Sequence, residues 1–235
     1  MYNVVMKTPE VLIVDNFLPQ DAWDKLYNQV QADRWQQTEV DDKYWHMTDG
    51  SNFKNKKRWL SEAPFNDNFD IWIEHFSKFL DTCEDVKPYV KDYEEYAIRC
   101  HAYPVGGKNP WHHDLGFTTY TYYLHKHWQI NWDSTLLIVP YNSVDYIQRL
   151  KLDANTKHYD SYASFNSPME MFQQREHYQS IIDYGMGMFV SPKPNRLILI
   201  NKDVVHGITR VDSDAGDNVR LSFTGMINEI GQRLK

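Results

Sequence analysis

The stretch Tyr103–Leu124, YPVGGKNPWHHDLGFTTYTYYL, decides how the rest of the chain is read. Two runs rich in β-branched and aromatic residues flank His112, His113 and Asp114. In a strand, alternate residues share a face and, at about 3.3 Å per residue, lie roughly 6.6 Å apart. His112 and Asp114 can therefore close on one metal ion while His113 points the other way. One imidazole and one carboxylate make an incomplete site, so a third ligand is needed. His206, in the run Asn195–Val211 (NRLILINKDVVHGITRV), is the candidate.

The surroundings of this stretch are β-like. Upstream, Tyr96–Tyr103 alternates polar and apolar residues before Pro104–Gly107 turns the chain. Downstream, Thr118–Leu124 is β-branched and aromatic, and the apolar run Thr135–Val139 is stopped by Pro140. Leu197–Asn201, Val204–Val211 and Val219–Ile227 complete the strands. Many short strands bounded by turns, with no helices between them, predict a sandwich or jelly-roll barrel. The segment between, Tyr141–Gly187, is long, mostly polar and weakly periodic, which in a compact domain points to a functional lid or a partly disordered loop.

The first third of the chain is different. Val11–Val14 reads as a short strand ending in Asp15-Asn16, and Leu18–Asp21 opens a helix with Pro19 near its start. Trp23, Leu26, Tyr27 and Val30 then recur at helical spacing. A second amphipathic helix spans Phe69–Leu80 through Ile71, Ile73, Phe76 and Leu80. Both are read as packing elements that cover a sheet, and polar Asp41–Lys57 as a loop. The expected architecture is one α+β, mainly β domain over residues 1–235. A strand and supporting helices fill 1–92, and a jelly-roll core fills 93–235 with an insertion at 141–187.

The aromatic fraction is 15%, with 16 Tyr and 8 Trp, so bulky rings must form much of the core. The chain has only Cys83 and Cys100, without CxxC spacing, which suits a reducing compartment able to keep iron ferrous. No apolar run reaches the roughly 18 residues of a membrane span, and no signal peptide is legible, so a cytoplasmic location is expected and a membrane role is not. The net charge of −7 argues against a general nucleic-acid binder. The basic run Lys54–Arg58 reads as a solvated face.

Two imidazoles and one carboxylate form the facial triad that leaves positions open on non-haem Fe(II). Short His and Asp pairs are common, so the pattern gains weight from Arg220, one strand after His206 in Val219–Phe223. A guanidinium near a metal suits a carboxylate held bidentately, and Ser222 can add a hydrogen bond. A dicarboxylic co-substrate fits that arrangement. Arg210, on the same strand as His206 and expected to face inward with it, is the rival arginine.

These residues, taken in order, resemble the prolyl 4-hydroxylase-like branch of the Fe(II)- and 2-oxoglutarate-dependent dioxygenases. The resemblance covers roughly Tyr96–Ile227, and the opening VLIVDNFLP also looks like the strand and helix that precede the catalytic core there. It rests on the tyrosine and turn at Tyr103–Gly107, HxD at His112 and Asp114, and Tyr122–Trp128 (YYLHKHW) for the family's YYLNxxW. Pro194–Leu199 then leads to His206, and an RxS follows at Arg220 and Ser222. What the resemblance implies is a double-stranded β-helix whose His112, Asp114 and His206 bind Fe(II). Arg220 would bind the distal carboxylate of 2-oxoglutarate, with Tyr123, Tyr103, Ser222 and Leu136 as further co-substrate residues.

The chain departs from that pattern at three places. Where the family shows GGxL, it reads Asp133-Ser134-Thr135-Leu136, so the bulge two glycines permit is expected to be built differently. His206 and Arg220 are 14 residues apart, with Asp212–Asp217 as a hairpin insertion. The 141–187 segment is longer than in compact members.

The expected activity uses O2 and 2-oxoglutarate, with ascorbate as reductant, to hydroxylate a C–H bond of a prolyl residue in a peptide or protein. The same chemistry on a free amino acid or other small molecule is the alternative. From another class, a cupin-like protein would use the site for Zn2+ or Mn2+, or for no metal, and would have no need of Arg220. Trp111, Trp128 and Trp132 are read as aromatic core or rim, and His113, His125 and His127 as surface or supporting residues.

Overall fold

A computed structural model describes residues 2–32, 35–37, 59–61, 69–107, 109–112, 114, 117–139, 187–202 and 204–229. Within these, the strands are β1 (Asn3–Lys7), β2 (Val11–Asp15), β3 (Trp35–Gln37), β4 (Trp59–Ser61), β5 (Tyr93–Tyr96), β6 (Arg99–Tyr103), β7 (Asn109–His112), β8 (Thr118–Tyr123), β9 (Leu136–Ile138), β10 (Met188–Val190), β11 (Arg196–Ile200), β12 (His206–Ile208) and β13 (Arg220–Glu229). The helices are α1 (Gln20–Ala32) and α2 (Asp70–Thr82). The loop expected at 41–57, the basic run at 54–58 and the insertion from 141 to 186 lie outside the described residues.

Two antiparallel sheets face one another. The larger has the order β1-β2-β11-β8-β13-β6-β4-β3, with β5 also paired to β13, and the smaller has the order β10-β9-β12-β7. From β6 to β13 the chain passes back and forth between the sheets, with β6, β8, β11 and β13 in the large one and β7, β9, β10 and β12 in the small one. That winding is a jelly roll, the expected double-stranded β-helix. The N-terminal part does more than cover it, because β2 pairs with β11 from Arg196↔Asp15 to Ile200↔Val11 and extends the large sheet.

Strand alternation sorts the side chains of the large sheet into two layers. One face, with Leu12, Val14, Tyr120, Tyr122, Leu197, Leu199, Leu221 and Phe223, packs with the helices. α1 starts just after Pro19, and α2 buries Trp72, Phe76, Phe79 and Leu80. Trp72 lies 4.7 Å from the Tyr122 ring and Phe76 lies 4.5 Å from Tyr120. Burying side chains of this size contributes about 1.5–3 kcal/mol each. The opposite face, with Val11, Ile13, Tyr123, Ile198 and Ile200, meets Leu136, Ile138 and Ile208 of the small sheet. The aromatic core expected from composition is therefore the helix-facing layer.

Two local devices hold this frame. Asn195, at φ 57°, accepts from Leu18 N and Tyr122 Oη and donates to Leu18 O, each at 2.9 Å, tying the approach to α1 onto β8 and β11. The expected single strand Tyr96–Tyr103 is broken at Ala97-Ile98 because Ala97 crosses close over Gly225. An added Cβ at Gly225 would stand 1.8 Å from Ala97 O. Among the described residues no helix is long and apolar enough to cross a membrane.

Candidate active site

His206 opens β12 in the small sheet, and its register partner on β7 is His112. The two expected imidazole donors are thus direct cross-strand neighbours in backbone register. The side chain of His112, like those of Trp111 and His113, lies outside the described residues. β7 ends at His112, so Asp114 sits beyond the strand rather than on it, in a turn closed by Phe117 N donating to Asp114 O at 2.7 Å.

The Asp114 carboxylate nevertheless turns toward His206, with Oδ2 standing 3.5 Å from Nε2. The other ring nitrogen, Nδ1, is 2.9 Å from Val204 O. A carbonyl only accepts, so Nδ1 carries the proton. Nε2 then either takes a second proton as imidazolium or presents its lone pair, with Asp114, to a shared cation. Fixing one ring nitrogen on a carbonyl so that the other can ligate is the usual support of a metal-bound histidine. Among the described residues no group of three His, Cys, Asp or Glu side chains converges, the third expected ligand being His112.

Across the barrel, on β13, Arg220 is fully buried. Its neighbours in register are Tyr103 on β6 for Arg220, and His101 and Tyr123 for Ser222. The guanidinium lies 4.4 Å from the Tyr103 ring centroid and 5.6 Å from that of Tyr123. Among the described residues no hydrogen bond is made by Arg220 Nε, Nη1 or Nη2, Ser222 Oγ or Tyr123 Oη, although the Arg220 guanidinium lies close enough to the Tyr123 hydroxyl to act on it. These five buried polar atoms, three of them sharing the guanidinium charge, form a cradle for an anion. Burial pushes the Tyr123 phenol up, while the Arg220 and Arg196 charges pull the other way, so the hydroxyl keeps its proton and can donate it. Leu136 packs with Tyr123 between the sheets.

Several expectations change. Arg210 is exposed beyond the end of β12, not inward with His206, so the rival arginine is removed from the interior. Of the two readings of His125, surface or supporting, its burial fits the supporting one. Its Nε2 is 2.7 Å from Pro192 O, its Nδ1 is 3.3 Å from Leu221 O, and burial lowers its pKa to about 4. Its place directly after the buried Tyr122-Tyr123-Leu124 was the signal available. Trp132 and Trp128 pack with Tyr103 and Val211, in keeping with a core role, and His127 is exposed.

At the departure from GGxL, Asp133 and Ser134 both take positive φ, 54° and 58°, the region glycine adopts freely. Pairing runs without slippage from Asp133↔Val211 to Ile138↔His206, so no residue is inserted there. The Thr209 hydroxyl donates to Asp133 Oδ1, Trp128 Nε1 donates to Asp133 O at 2.9 Å, and Ser134 N donates to Arg210 O at 3.2 Å. The backbone that glycines would give without strain is here held by hydrogen bonds.

No protein-family model matches the chain, and no curated protein matches it by sequence. Solved structures do match. A prolyl hydroxylase from Trichoplax adhaerens, in complex with a hypoxia inducible factor oxygen degradation domain peptide fragment, has a TM-score of 0.56 at 14% identity, with 94% of this chain and 84% of that chain covered. A prolyl-4-hydroxylase of Pseudomonas putida has a TM-score of 0.53 at 13% identity, with 94% and 92% covered. HygX of Streptomyces hygroscopicus, with nickel and 2-oxoglutarate bound, has a TM-score of 0.54 at 10% identity, with 94% and 84% covered. The chain has a 2-oxoglutarate oxygenase fold. HygX holds a divalent metal and a dicarboxylate on this fold. The lone-pair groups of His206 and Asp114 fit the first, and the unpartnered cradle at Arg220 fits the second.

Proposed function

We propose that the chain is an Fe(II)- and 2-oxoglutarate-dependent dioxygenase that hydroxylates a C–H bond, with a prolyl residue of a peptide or protein as substrate. The observation that carries this reading is Arg220, fully buried with no hydrogen-bond partner among the described residues for any guanidinium nitrogen. A cupin-like metal protein has no use for such a group, and an unpaired buried cation costs several kcal/mol.

His112, Asp114 and His206 would hold the metal. Arg220 would hold the distal carboxylate of 2-oxoglutarate, assisted by the Ser222 and Tyr123 hydroxyls, with Tyr103 under the guanidinium and Leu136 beside Tyr123. Bound together, Fe(II), 2-oxoglutarate and O2 supply the oxidising chemistry, with ascorbate as reductant. Val204 O keeps the proton on His206 Nδ1 and so leaves Nε2 basic. The apolar layer of Val11, Ile13, Ile198 and Ile200 excludes water from the interior and strengthens the pairing of Arg220 with an anion.

A second substrate reading rests on HygX, which is about as similar as the prolyl hydroxylases and has been solved with hygromycin B bound. On that reading the oxidant acts on a small molecule. Succinate release measured across peptide libraries with and without proline, beside a panel of free amino acids and small molecules, tests both. Release stimulated by proline peptides alone supports the first, stimulation by small molecules alone supports the second, and no succinate under any condition removes the oxygenase reading.

A further inference from the structure

We infer that His125 is a positioning residue for the carboxylate cradle, an inference that rests on reading Arg220 as the group that holds 2-oxoglutarate. Strand β8 ends at Tyr123, and Leu124 N donates to Leu221 O at 2.9 Å. The His125 ring then fills the space between three segments. Its Nε2 lies 2.7 Å from Pro192 O and its Nδ1 3.3 Å from Leu221 O. A carbonyl only accepts and a neutral ring carries one proton, so the shorter contact is the hydrogen bond, Nε2–H donating to Pro192 O, while Nδ1 lies beside the Leu221 carbonyl without bonding to it.

Each anchor adjoins a cradle residue. Leu221 is the residue between Arg220 and Ser222. Pro192 belongs to the turn that runs into Asn195, whose N donates to Tyr123 O at 2.9 Å. The ring itself lies 5.7 Å from Tyr123 and 5.0 Å from Trp128. The backbone ladder sets the spacing of β8 and β13, with Ser222 paired to Tyr123, and the imidazole braces the end of that ladder against the turn at Pro192.

The position makes two chemical demands. Pro192 O is buried against the ring and needs a donor, which an apolar side chain does not provide. The donor must also be neutral, because a second cation would oppose Arg220. A neutral imidazole meets both demands, and so would a carboxamide.

The experiment compares wild type, His125→Leu, His125→Asn and Arg220→Met. Anaerobic isothermal titration of 2-oxoglutarate into Fe(II)-loaded protein gives Kd, and succinate release gives KM for 2-oxoglutarate and kcat, with melting temperature recorded for each. For His125→Leu the expected result is a Kd and KM about tenfold higher with kcat at saturation within about twofold, and for His125→Asn values within about threefold of wild type. Leucine binding as well as wild type, asparagine as impaired as leucine, or a loss confined to kcat would each overturn the positioning role. If Arg220→Met also binds 2-oxoglutarate normally, the co-substrate reading itself falls. If Arg220→Met loses binding while His125→Leu keeps it, only the role of His125 falls.

Discussion

The guanidinium of Arg220 rests 4.4 Å from the centroid of the Tyr103 ring, and among the described residues none of its nitrogens makes a hydrogen bond. Cation–π attraction of a desolvated pair is worth about 2 kcal/mol, whereas burying an ion without hydrogen bonds costs several. Arg220 therefore weakens the protein that holds no anion. Arg220→Met is expected to raise ligand-free stability by about 1–3 kcal/mol in urea unfolding while losing 2-oxoglutarate binding by calorimetry. A less stable variant that still binds would remove the cradle.

Ser134 combines a positive φ of 58° with a fully buried hydroxyl that meets no hydrogen-bond partner among the described residues. Ser134→Gly relieves both, and stabilisation of about 1–2 kcal/mol is expected from thermal or urea unfolding. Asp133→Gly also relieves strain but loses the acceptor of the Thr209 hydroxyl, so its net change should be smaller. Destabilisation by Ser134→Gly would show that the turn is not strained.

Stability should fall as the solution is acidified, in part through His125. Burial first, and the Arg220 charge as well, lower its pKa from 6.5 to about 4. Between those values the unfolded chain binds a proton that the folded protein refuses, so stability declines as pH falls through that window and is unaffected by this group above it. The loss is on the order of 3 kcal/mol. His125→Asn should flatten the slope of unfolding free energy from pH 6.5 to 4, and an unchanged slope would mean that the ring is not held neutral.

Gly225 lets β13 pass beneath Ala97. Because a Cβ there would meet Ala97 O at 1.8 Å, Gly225→Ala must displace backbone, and a loss of about 3 kcal/mol or failure to fold is expected. A melting temperature within a degree of wild type would show that this crossing is loose.

The elements legible in the sequence were those with an apolar period. β8 and β9 lie within the runs read as strands, β2 and β11 match theirs to within one residue, and both helices start within two residues of expectation. β1 and β10 were not legible, because Asn3–Lys7 is largely exposed and Met188–Val190 is short and carries exposed Phe189, so neither shows a buried face. β7 was obscured by Pro110 within Asn109–His112. In the site, His206 and Arg220 could be named from motif order, and the structure adds what motif order lacks, namely their placement on opposite sheets. Asp133 and Ser134 could not be read as a glycine-like turn, since their conformation is imposed by Thr209, Trp128 and Arg210 from elsewhere in the chain. The polar run around His125 left open whether it was a surface or a supporting residue, and its contacts with Pro192, Leu221, Tyr123 and Trp128 decide for burial.

The central claim is that one interior holds Fe(II) at His206 and Asp114 and 2-oxoglutarate at Arg220. Anaerobic visible spectroscopy of the Fe(II)-loaded protein, titrated with 2-oxoglutarate, tests it most directly. The expected result is a weak visible band that saturates in wild type, is absent in His206→Ala, and requires far more 2-oxoglutarate in Arg220→Met. No band in iron-loaded wild type, or an unaltered band in His206→Ala, would contradict the account.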